Sequence, residues 1–319
     1  MADENIFYPS EIILEVTNHC NLRCRHCHFH GQGAVRKRSL GYMDREVWEK
    51  VLDEIRNWHR PLTLMTHGAG EPLLYKNLPE LLYKAKQIPF LSVGFMCNGM
   101  LLNEKCISDL LEMQVDWLAL SIDGINPQTH DFFRVNADLE HIEKNLHRLI
   151  EMKQQRNSRL PALFFNMVAY PEIADQSEDY VMKWLPYAES VMISAFRPVG
   201  IKKLWEGEPR FPFRPCPLLR RQAVISWDGQ MGLCCEDINL DVPLGSIRSN
   251  SIADIFNQSP KLTAYRRLHD EKKIDRLALC SDCHVWGGDI LLEKNVIHIG
   301  NMKVEKTVTP AYQLYKKTD

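Results

Sequence analysis

The sequence lacks any apolar run long enough to cross a membrane, and its first ten residues, MADENIFYPS, lack the basic start and apolar stretch of a secretory signal. An excess of one charge is also missing, because 39 Lys and Arg residues oppose 41 Asp and Glu residues and leave a net charge of -2. This balance supplies neither a basic groove for nucleic acid nor a cationic face for an anionic membrane surface. We therefore expect a cytoplasmic protein with no nucleic acid or membrane partner.

Low-complexity segments are absent, and the only repetition is an alternation of strand-like and helix-like segments. Amphipathic segments such as 44–58 and 139–152 separate short runs rich in apolar and β-branched residues. The six runs are residues 12–16, 62–66, 91–96, 117–121, 163–168 and 191–195. This alternation predicts parallel strands joined by right-handed crossovers, hence an α/β fold that is a full barrel, a partial barrel or an open sheet.

Residues that can carry chemistry follow four of these predicted strands. Three cysteines follow the first run, HGAGEP the second, CNG the third and SIDG the fourth. Ligands bind at the carboxyl ends of the strands in barrels and in open parallel sheets alike. We therefore expect these segments to contribute to one site.

The three cysteines give the clearest chemical signal, because thiols in a reducing compartment are more often metal ligands, catalytic groups or core residues than disulfides. Cys20, Cys24 and Cys27 stand in NHCNLRCRHCHFH, where the other residues are too polar for a buried helical stripe. Three thiolates in one loop suit a 4Fe-4S cluster with one iron left open. Structural zinc, with His28 or His30 as the fourth ligand, is the alternative, although it leaves the later strand-end motifs unexplained.

The motif C-x3-C-x2-C, followed in order by GAGEP, CNG and SIDG, resembles the radical S-adenosylmethionine (SAM) superfamily. The resemblance implies a partial (β/α)6 TIM-like barrel in which the three cysteines hold a 4Fe-4S cluster. The open iron of that cluster would bind SAM, and an electron from a flavodoxin or ferredoxin would release methionine and a 5'-deoxyadenosyl radical. This radical would abstract hydrogen from a small-molecule or peptide substrate.

The later motifs offer contacts for that cofactor. In GAGEP, Gly70 permits a close backbone approach and Glu71 can accept hydrogen bonds from an ammonium group. Ala69 departs from the glycine common in the family, and His26 stands where many members have an aromatic residue that contacts adenine. The resemblance implies three further contacts, at Asn98 of CNG, Ser121 of SIDG and Arg134 of THDFFR. Arg134 would pair with the cofactor carboxylate.

A second set of four thiols begins within the proline-rich stretch 207–217. The segment AVISWDGQMGLCC, which ends with the second of these thiols and the adjacent Cys235, predicts a β-hairpin around Asp228-Gly229. The four thiols are Cys216, Cys234, Cys280 and Cys283. On ligand count alone, zinc and an iron-sulfur cluster are equally compatible with them. Their spacing, C-x12-G-x4-C and then C-x2-C, resembles the shorter SPASM or Twitch extension of radical SAM enzymes. The resemblance implies that all four hold one auxiliary 4Fe-4S cluster.

Three segments are therefore expected along the chain. They are a radical SAM core at 10–205, a small SPASM/Twitch domain at 209–290 and a C-terminal tail at 291–319. Short helices are predicted at 252–256 and 262–269 within the second segment. The tail could cover the barrel mouth or be loosely held.

The resemblance also favours a reaction. GLCCEDINLDVPLGSI together with SIADIF resembles the radical dehydrogenases that oxidise aminocyclitols in butirosin biosynthesis. An auxiliary cluster with four thiolate ligands is suited to accept an electron, so we expect dehydrogenation of an alcohol in a sugar or aminocyclitol-like molecule. The short segment before the first strand leaves little room for the leader-binding element of many peptide-modifying relatives, which also favours a small molecule.

Three alternatives stay open at the level of sequence. Cys235 stands beside Cys234 and either packs or donates a hydrogen atom in a radical epimerisation. Modification of a ribosomal peptide, such as crosslinking, is the second alternative. The third, of another class, is a non-catalytic zinc or iron-sulfur protein.

Overall fold

The computed structural model describes residues 6–318 of the chain. The first five residues of the acidic N-terminal segment, and Asp319 at the end of the predicted tail, lie outside the described residues. All six predicted strands are present, with ends within two residues of those expected. They are β1 Glu11–Leu14, β2 Leu62–Met65, β3 Leu91–Cys97, β4 Trp117–Ser121, β5 Ala162–Ala169 and β6 Ser190–Ala195.

Helices separate these strands, as the amphipathic segments predict. They are α1 Arg45–Arg56, α2 Leu78–Ala85, α3 Glu104–Glu112, α4 Pro127–Phe133, α5 Leu139–Gln155 and α6 Ser177–Trp184. Polar side chains fix three of the starts, since Asn103, Asn126 and Asp138 each accept a hydrogen bond from the backbone N–H three residues later. Among residues 6–318, no helix is both long and apolar enough to span a bilayer.

The described residues fall into two compact units, of which the first comprises residues up to Cys20, 36–94 and 208–286. In this unit β1 pairs in parallel with β2, and β2 pairs in parallel with the first residues of β3. β7 (Gln222–Ile225) pairs in parallel with β1 and antiparallel with β8 (Gln230–Gly232). β8 in turn pairs antiparallel with β9 (Gly245–Ser246). The predicted hairpin is therefore β7–β8, and Gly229 adopts the positive φ of 86° that its turn requires.

The predicted short helices also lie in this unit. α7 (Leu218–Arg221) precedes the hairpin, and α8 (Ile252–Gln258) and α9 (Pro260–Asp270) follow it. Glu54 of α1 accepts hydrogen bonds from the N–H groups of Ile252 and Ala253 at the start of α8. The segment after residue 208 is thus tied to the first helix of the chain.

The second unit comprises residues 21–35, 95–207 and those from 287 onward. β4, β5 and β6 pair in parallel, as predicted. Three further strands, β10 (Glu293–Ile299), β11 (Met302–Val308) and β12 (Tyr312–Lys317), form an antiparallel meander, and β12 pairs antiparallel with β6. These residues of the predicted tail are therefore not loosely held; they extend the sheet at the edge of β6.

Candidate functional site

The turn after β2 approaches the loop after β1 so closely that only glycine fits at one position. A Cβ atom at Gly70 would lie 2.4 Å from the carbonyl oxygen of His19 and 2.5 Å from that of Thr17. The backbone N–H of Glu71 donates to the same His19 oxygen over 2.8 Å. The GAGEP turn therefore rests against the residue that precedes Cys20.

Glu71 is buried at the end of this turn. Its carboxylate accepts a hydrogen bond from the N–H of Leu73 over 3.2 Å and caps the short helical turn Pro72–Leu74. The cap fixes the direction of the carboxylate. Its predicted contact with an ammonium group stays a prediction.

A buried ion pair that the sequence analysis missed joins this turn to the loop after the hairpin. The guanidinium of Arg38 binds both carboxylate oxygens of Glu15, at 2.7 and 2.9 Å, and its Nε donates to the carbonyl oxygen of Ile238. Glu15 also accepts the N–H of Ala69 over 3.0 Å. A charged residue inside the apolar run EIILEV was the available signal, because a buried glutamate requires a partner.

Two backbone hydrogen bonds, one from the residue on each side, hold Cys24 in the second unit. The N–H groups of Arg23 and Arg25 donate to the carbonyl oxygens of Val135 and Phe133, at 2.9 and 2.8 Å. Arg134 stands between these acceptors, and its Nη1 lies 3.9 Å from Cys24 Sγ. The segment after α4 thus places a cation beside the second cysteine of the motif.

Arg134 is also paired with Asp123, another buried residue that the sequence analysis did not single out. Arg134 Nε lies 2.8 Å from Asp123 Oδ2, and both side chains are almost fully buried. Burial alone would raise the pKa of Asp123, but Arg134 lowers it, and the carboxylate in turn raises the pKa of Arg134. Asp123 belongs to SIDG, two residues after the nearly buried Ser121. The proposed contact of Arg134 with a cofactor carboxylate stays a prediction.

Asn98 of CNG reaches the same loop. Its Nδ2 donates to Asn21 Oδ1 over 2.8 Å, and its Oδ1 accepts the N–H of Met100 over 3.0 Å. Asn21 directly follows Cys20, so the turn after β3 contacts the cysteine loop next to the first cysteine of the motif.

The residue before Cys27 has an aromatic partner. His26 Nδ1 lies within hydrogen-bonding distance of the hydroxyl of Tyr170, whose ring stacks on Phe133 with centroids 3.7 Å apart. Burial lowers the pKa of His26 to about 4, so its ring is neutral near pH 7. Tyr170 holds His26 in place; the contact of His26 with adenine stays a prediction.

Donors are directed at the sulfurs of Cys24 and Cys27 in this loop, which fits thiolate ligands of an iron-sulfur cluster. Arg134 approaches Cys24, and the N–H of His30 donates to Cys27 Sγ over 3.2 Å. His28 Nδ1 accepts the N–H of Gly200. Within residues 6–318, no three His, Cys, Asp or Glu side chains are grouped so that they could hold a single metal ion.

The four thiols of the second set line one cavity, hereafter the cluster cavity, together with apolar side chains such as Leu218, Leu279 and Trp286. The thiols are those of Cys216, Cys234, Cys280 and Cys283. Burial raises the pKa of Cys216 and Cys234, so their thiolates need a bound cation for stability. Four thiols around one largely apolar space fit an auxiliary iron-sulfur cluster.

A second cavity in the same unit, hereafter the polar cavity, is lined by groups of a different kind. They include Glu15, Arg38, Ala69, Ser226, Cys234 and Cys235. Cys235 is exposed, so it does not pack in the core as one of the sequence interpretations held. Cys234 lines both cavities. This proposed cluster ligand is therefore common to the walls of both cavities.

Two known protein families match the segments of the chain that carry the two sets of cysteines. Residues 14–185 match the radical SAM superfamily, and residues 216–284 match SPASM, an iron-sulfur cluster-binding domain. A protein of Methanococcus maripaludis named "Probable GTP 3',8-cyclase" is 27% identical over 139 residues, which cover 44% of this chain and 45% of that protein. The match therefore spans less than half of that relative.

A longer match exists to a protein of Pyrococcus furiosus named "Tungsten-containing aldehyde ferredoxin oxidoreductase cofactor-modifying protein". It is 24% identical over 323 residues, covering 85% of this chain and 86% of that protein. Among solved structures, BtrN in complex with AdoMet and 2-DOIA has a TM-score of 0.57 at 20% identity and covers 87% of this chain and 93% of its own. SuiB of Streptococcus suis bound to S-adenosylmethionine has a TM-score of 0.66 at 13% identity, with coverages of 88% and 71%.

At such identities the structural likeness establishes the fold alone. Together with the family matches, it confirms the predicted partial TIM-like barrel with a C-terminal SPASM-type domain. Within each of the two units the described strands form both parallel and antiparallel pairs.

The Asp123–Arg134 pair gives a first prediction. Replacing Arg134→Met should lower the free energy of unfolding by about 3–5 kcal/mol, because it leaves the Asp123 carboxylate buried without a counter-charge. Anaerobic urea unfolding measures this change. The double variant with Asp123→Asn should recover much of the loss, since the amide oxygen can still accept the Val168 N–H. A single variant as stable as the wild type would contradict the buried pairing.

Gly70 gives a second prediction. Gly70→Ala should cost about 1–3 kcal/mol and abolish SAM binding, because the new methyl group must displace the GAGEP turn from His19 and Thr17. Unfolding curves and SAM-binding titrations test both effects. Ala69→Gly is the matched control, since it changes the neighbouring residue by one methyl group and relieves no contact of this kind; equal losses in the two variants would refute the steric argument.

Proposed function

The chain belongs to the radical SAM superfamily, and we propose that it oxidises an alcohol group of a small polyhydroxylated molecule such as a sugar or an aminocyclitol. It is a radical SAM enzyme with a SPASM domain, and its cofactors are SAM and iron-sulfur clusters. When bound, these groups supply reductive cleavage of SAM to a 5'-deoxyadenosyl radical, abstraction of a substrate hydrogen atom and a cluster that accepts an electron.

We assign the ligands of two 4Fe-4S clusters from the two sets of thiols. Cys20, Cys24 and Cys27 would hold the cluster that binds SAM, and their neighbours Arg134 and the His30 N–H direct positive charge at two of the sulfurs. The auxiliary cluster would occupy the cluster cavity, with its four cysteines as ligands. Gly70, Glu71, Asn98 and Ser121 remain the proposed surroundings of SAM.

One observation carries the proposal of oxidation, namely that Cys234 lines both the polar cavity and the cluster cavity. Conversion of an alcohol carbon to a carbonyl requires loss of a hydrogen atom, a proton and an electron. A substrate in the polar cavity would have a proposed cluster ligand in the wall beside it, so the electron would have a short path to its acceptor.

Charged groups in the wall of the polar cavity could contact the hydroxyl or amino groups of a substrate. Glu15 and Arg38 line it beside apolar side chains such as Ile13 and Leu240, and their charges are already compensated by each other. The names of two relatives also point towards small molecules: BtrN was crystallised with 2-DOIA, and the Pyrococcus protein is named for modifying a cofactor. SuiB, crystallised with the precursor peptide SuiA, supports the peptide alternative.

A second candidate function is radical epimerisation, which the exposure of Cys235 favours. Its side chain lines the polar cavity beside Ala69 of the GAGEP turn. A thiol there can return a hydrogen atom to a substrate radical, after which an electron and a proton must restore it.

The proposal predicts coupled products. The full chain, loaded anaerobically with iron and sulfide and reduced by flavodoxin, should convert SAM to 5'-deoxyadenosine in equal amount to a carbonyl product formed from an aminocyclitol or amino sugar. Mass spectrometry after hydrazine derivatisation measures the carbonyl. Cys280→Ala should still form 5'-deoxyadenosine but much less carbonyl, because the electron acceptor is lost. No 5'-deoxyadenosine from the fully loaded wild type would refute a radical enzyme of this type.

The two candidate functions divide at Cys235. For an oxidation, Cys235→Ala should keep most of the carbonyl yield, because no hydrogen atom is returned to the substrate. For an epimerisation, the same change should abolish deuterium incorporation from D2O into the product. Cys106→Ala, on α3, is the control for a general effect of losing a cysteine. If the wild-type protein forms product that carries solvent deuterium and Cys235→Ala does not, the epimerisation would replace the oxidation proposal.

A further inference from the structure

His269, near the end of α9, is a buried histidine on the wall of the cluster cavity. Its side chain is 1% exposed, and its Nδ1 accepts the backbone N–H of Cys216 over 3.3 Å. Because Nδ1 is the acceptor, the ring is neutral and carries its proton on Nε2. Nε2 is buried and has no hydrogen-bond partner among the described residues. Buried donors of this kind almost always have an acceptor, so we expect a bound group to accept a hydrogen bond from Nε2.

The surroundings fix the ring and narrow the choice of acceptor. Phe213 stacks against His269 with an interplanar angle of 26°, and Phe213 itself packs on Trp286 with centroids 4.6 Å apart. The remaining walls of the cavity are leucine, valine and tryptophan side chains, Glu236 and the four thiols. No hydrogen bond joins Nε2 to the Glu236 carboxylate or to a thiol, so a group that occupies the space between the thiols is an acceptor available in the same cavity.

We propose that His269 Nε2–H donates a hydrogen bond to a sulfur of the auxiliary cluster and thereby raises the reduction potential of that cluster. The inference rests on the proposed function only in placing an iron-sulfur cluster between these thiols. A hydrogen bond to a sulfide or thiolate withdraws charge from the cluster and stabilises its reduced, more negative form. His269 is thus a positioning residue for electron transfer and makes no contact with the substrate.

The consequence is a better electron acceptor. With the hydrogen bond, the auxiliary cluster would accept the electron of the deprotonated substrate radical more readily; without it, 5'-deoxyadenosine should form in excess over carbonyl. The chain places the donor one hydrogen bond away from a ligand, because the same ring that faces the cavity binds the backbone of Cys216.

Two substitutions separate the two nitrogens of the ring. His269→Asn retains an acceptor near the Nδ1 position for the Cys216 N–H and removes the Nε2 donor, whereas His269→Gln retains an N–H donor near the Nε2 position. Redox titration of the full holoenzyme, followed by EPR, measures the auxiliary cluster; its signal is told apart from that of the first cluster by its indifference to added SAM.

We expect the midpoint of the auxiliary cluster to shift to a more negative potential in His269→Asn and to return towards the wild-type value in His269→Gln, with iron and sulfide contents unchanged in both. An unchanged midpoint in His269→Asn at full iron content, or no difference between the two variants, would overturn the inference. If either variant loses iron, pulsed EPR of the reduced wild-type protein labelled with 15N-histidine decides: a weak 15N coupling to the auxiliary cluster supports the hydrogen bond, and its absence refutes it.

The outcomes separate this inference from the proposed oxidation. If the midpoint potential of the auxiliary cluster shifts in His269→Asn but the wild-type protein forms no carbonyl, the hydrogen bond is supported and the proposed oxidation is refuted. Wild-type protein that holds only the first cluster removes both, because the thiols around His269 would then hold no acceptor.

Discussion

The burial of thiols is the constraint on which the two proposed cluster sites depend. Burial raises the pKa of Cys24, Cys216 and Cys234, and the nearby cations, Arg134 at Cys24 and Arg214 and Arg221 at Cys216, offset that rise only in part. In the absence of metal these groups are neutral thiols that pack like small apolar side chains. Iron binding must therefore supply the free energy of deprotonation as well as of coordination, so cluster loading and stability are linked. The apolar walls of the cluster cavity make that linkage strong.

The cost of burying a charge without a partner also explains the two ion pairs near the strand ends. Glu15 follows β1 and Asp123 follows β4, positions where a carboxylate faces the site rather than solvent. Each is matched by an arginine, and each also accepts a backbone N–H, from Ala69 and Val168 respectively. Removing one partner costs far more than the pair contributes, because the other charge stays buried. The pairs thus fix the loops that carry the cysteines and the GAGEP turn.

The sequence predicted the elements whose signal is local. Apolar runs, amphipathic spacing and the Asp228-Gly229 turn located the six strands, the main helices and the hairpin, and cysteine spacing identified both thiol sets. It missed features that depend on distant partners. The pairs Glu15 with Arg38 and Asp123 with Arg134 join charged residues that alone resemble surface groups, and nothing local to His269 indicates its hydrogen bond with the Cys216 backbone. Strands β10 to β12 were missed because their order depends on the free edge of β6.

Cys234 and Cys235 show how adjacent residues can offer a substrate radical two different outcomes. Cys234 is buried and lines both cavities, whereas Cys235 is exposed and lines the polar cavity. Under the assignment proposed here, a radical in the polar cavity can lose an electron through the first or gain a hydrogen atom from the second. The faster step determines the product, and the rate of electron loss rises with the potential of the acceptor. A donor such as His269, which raises that potential, therefore biases the site towards oxidation without any contact with the substrate.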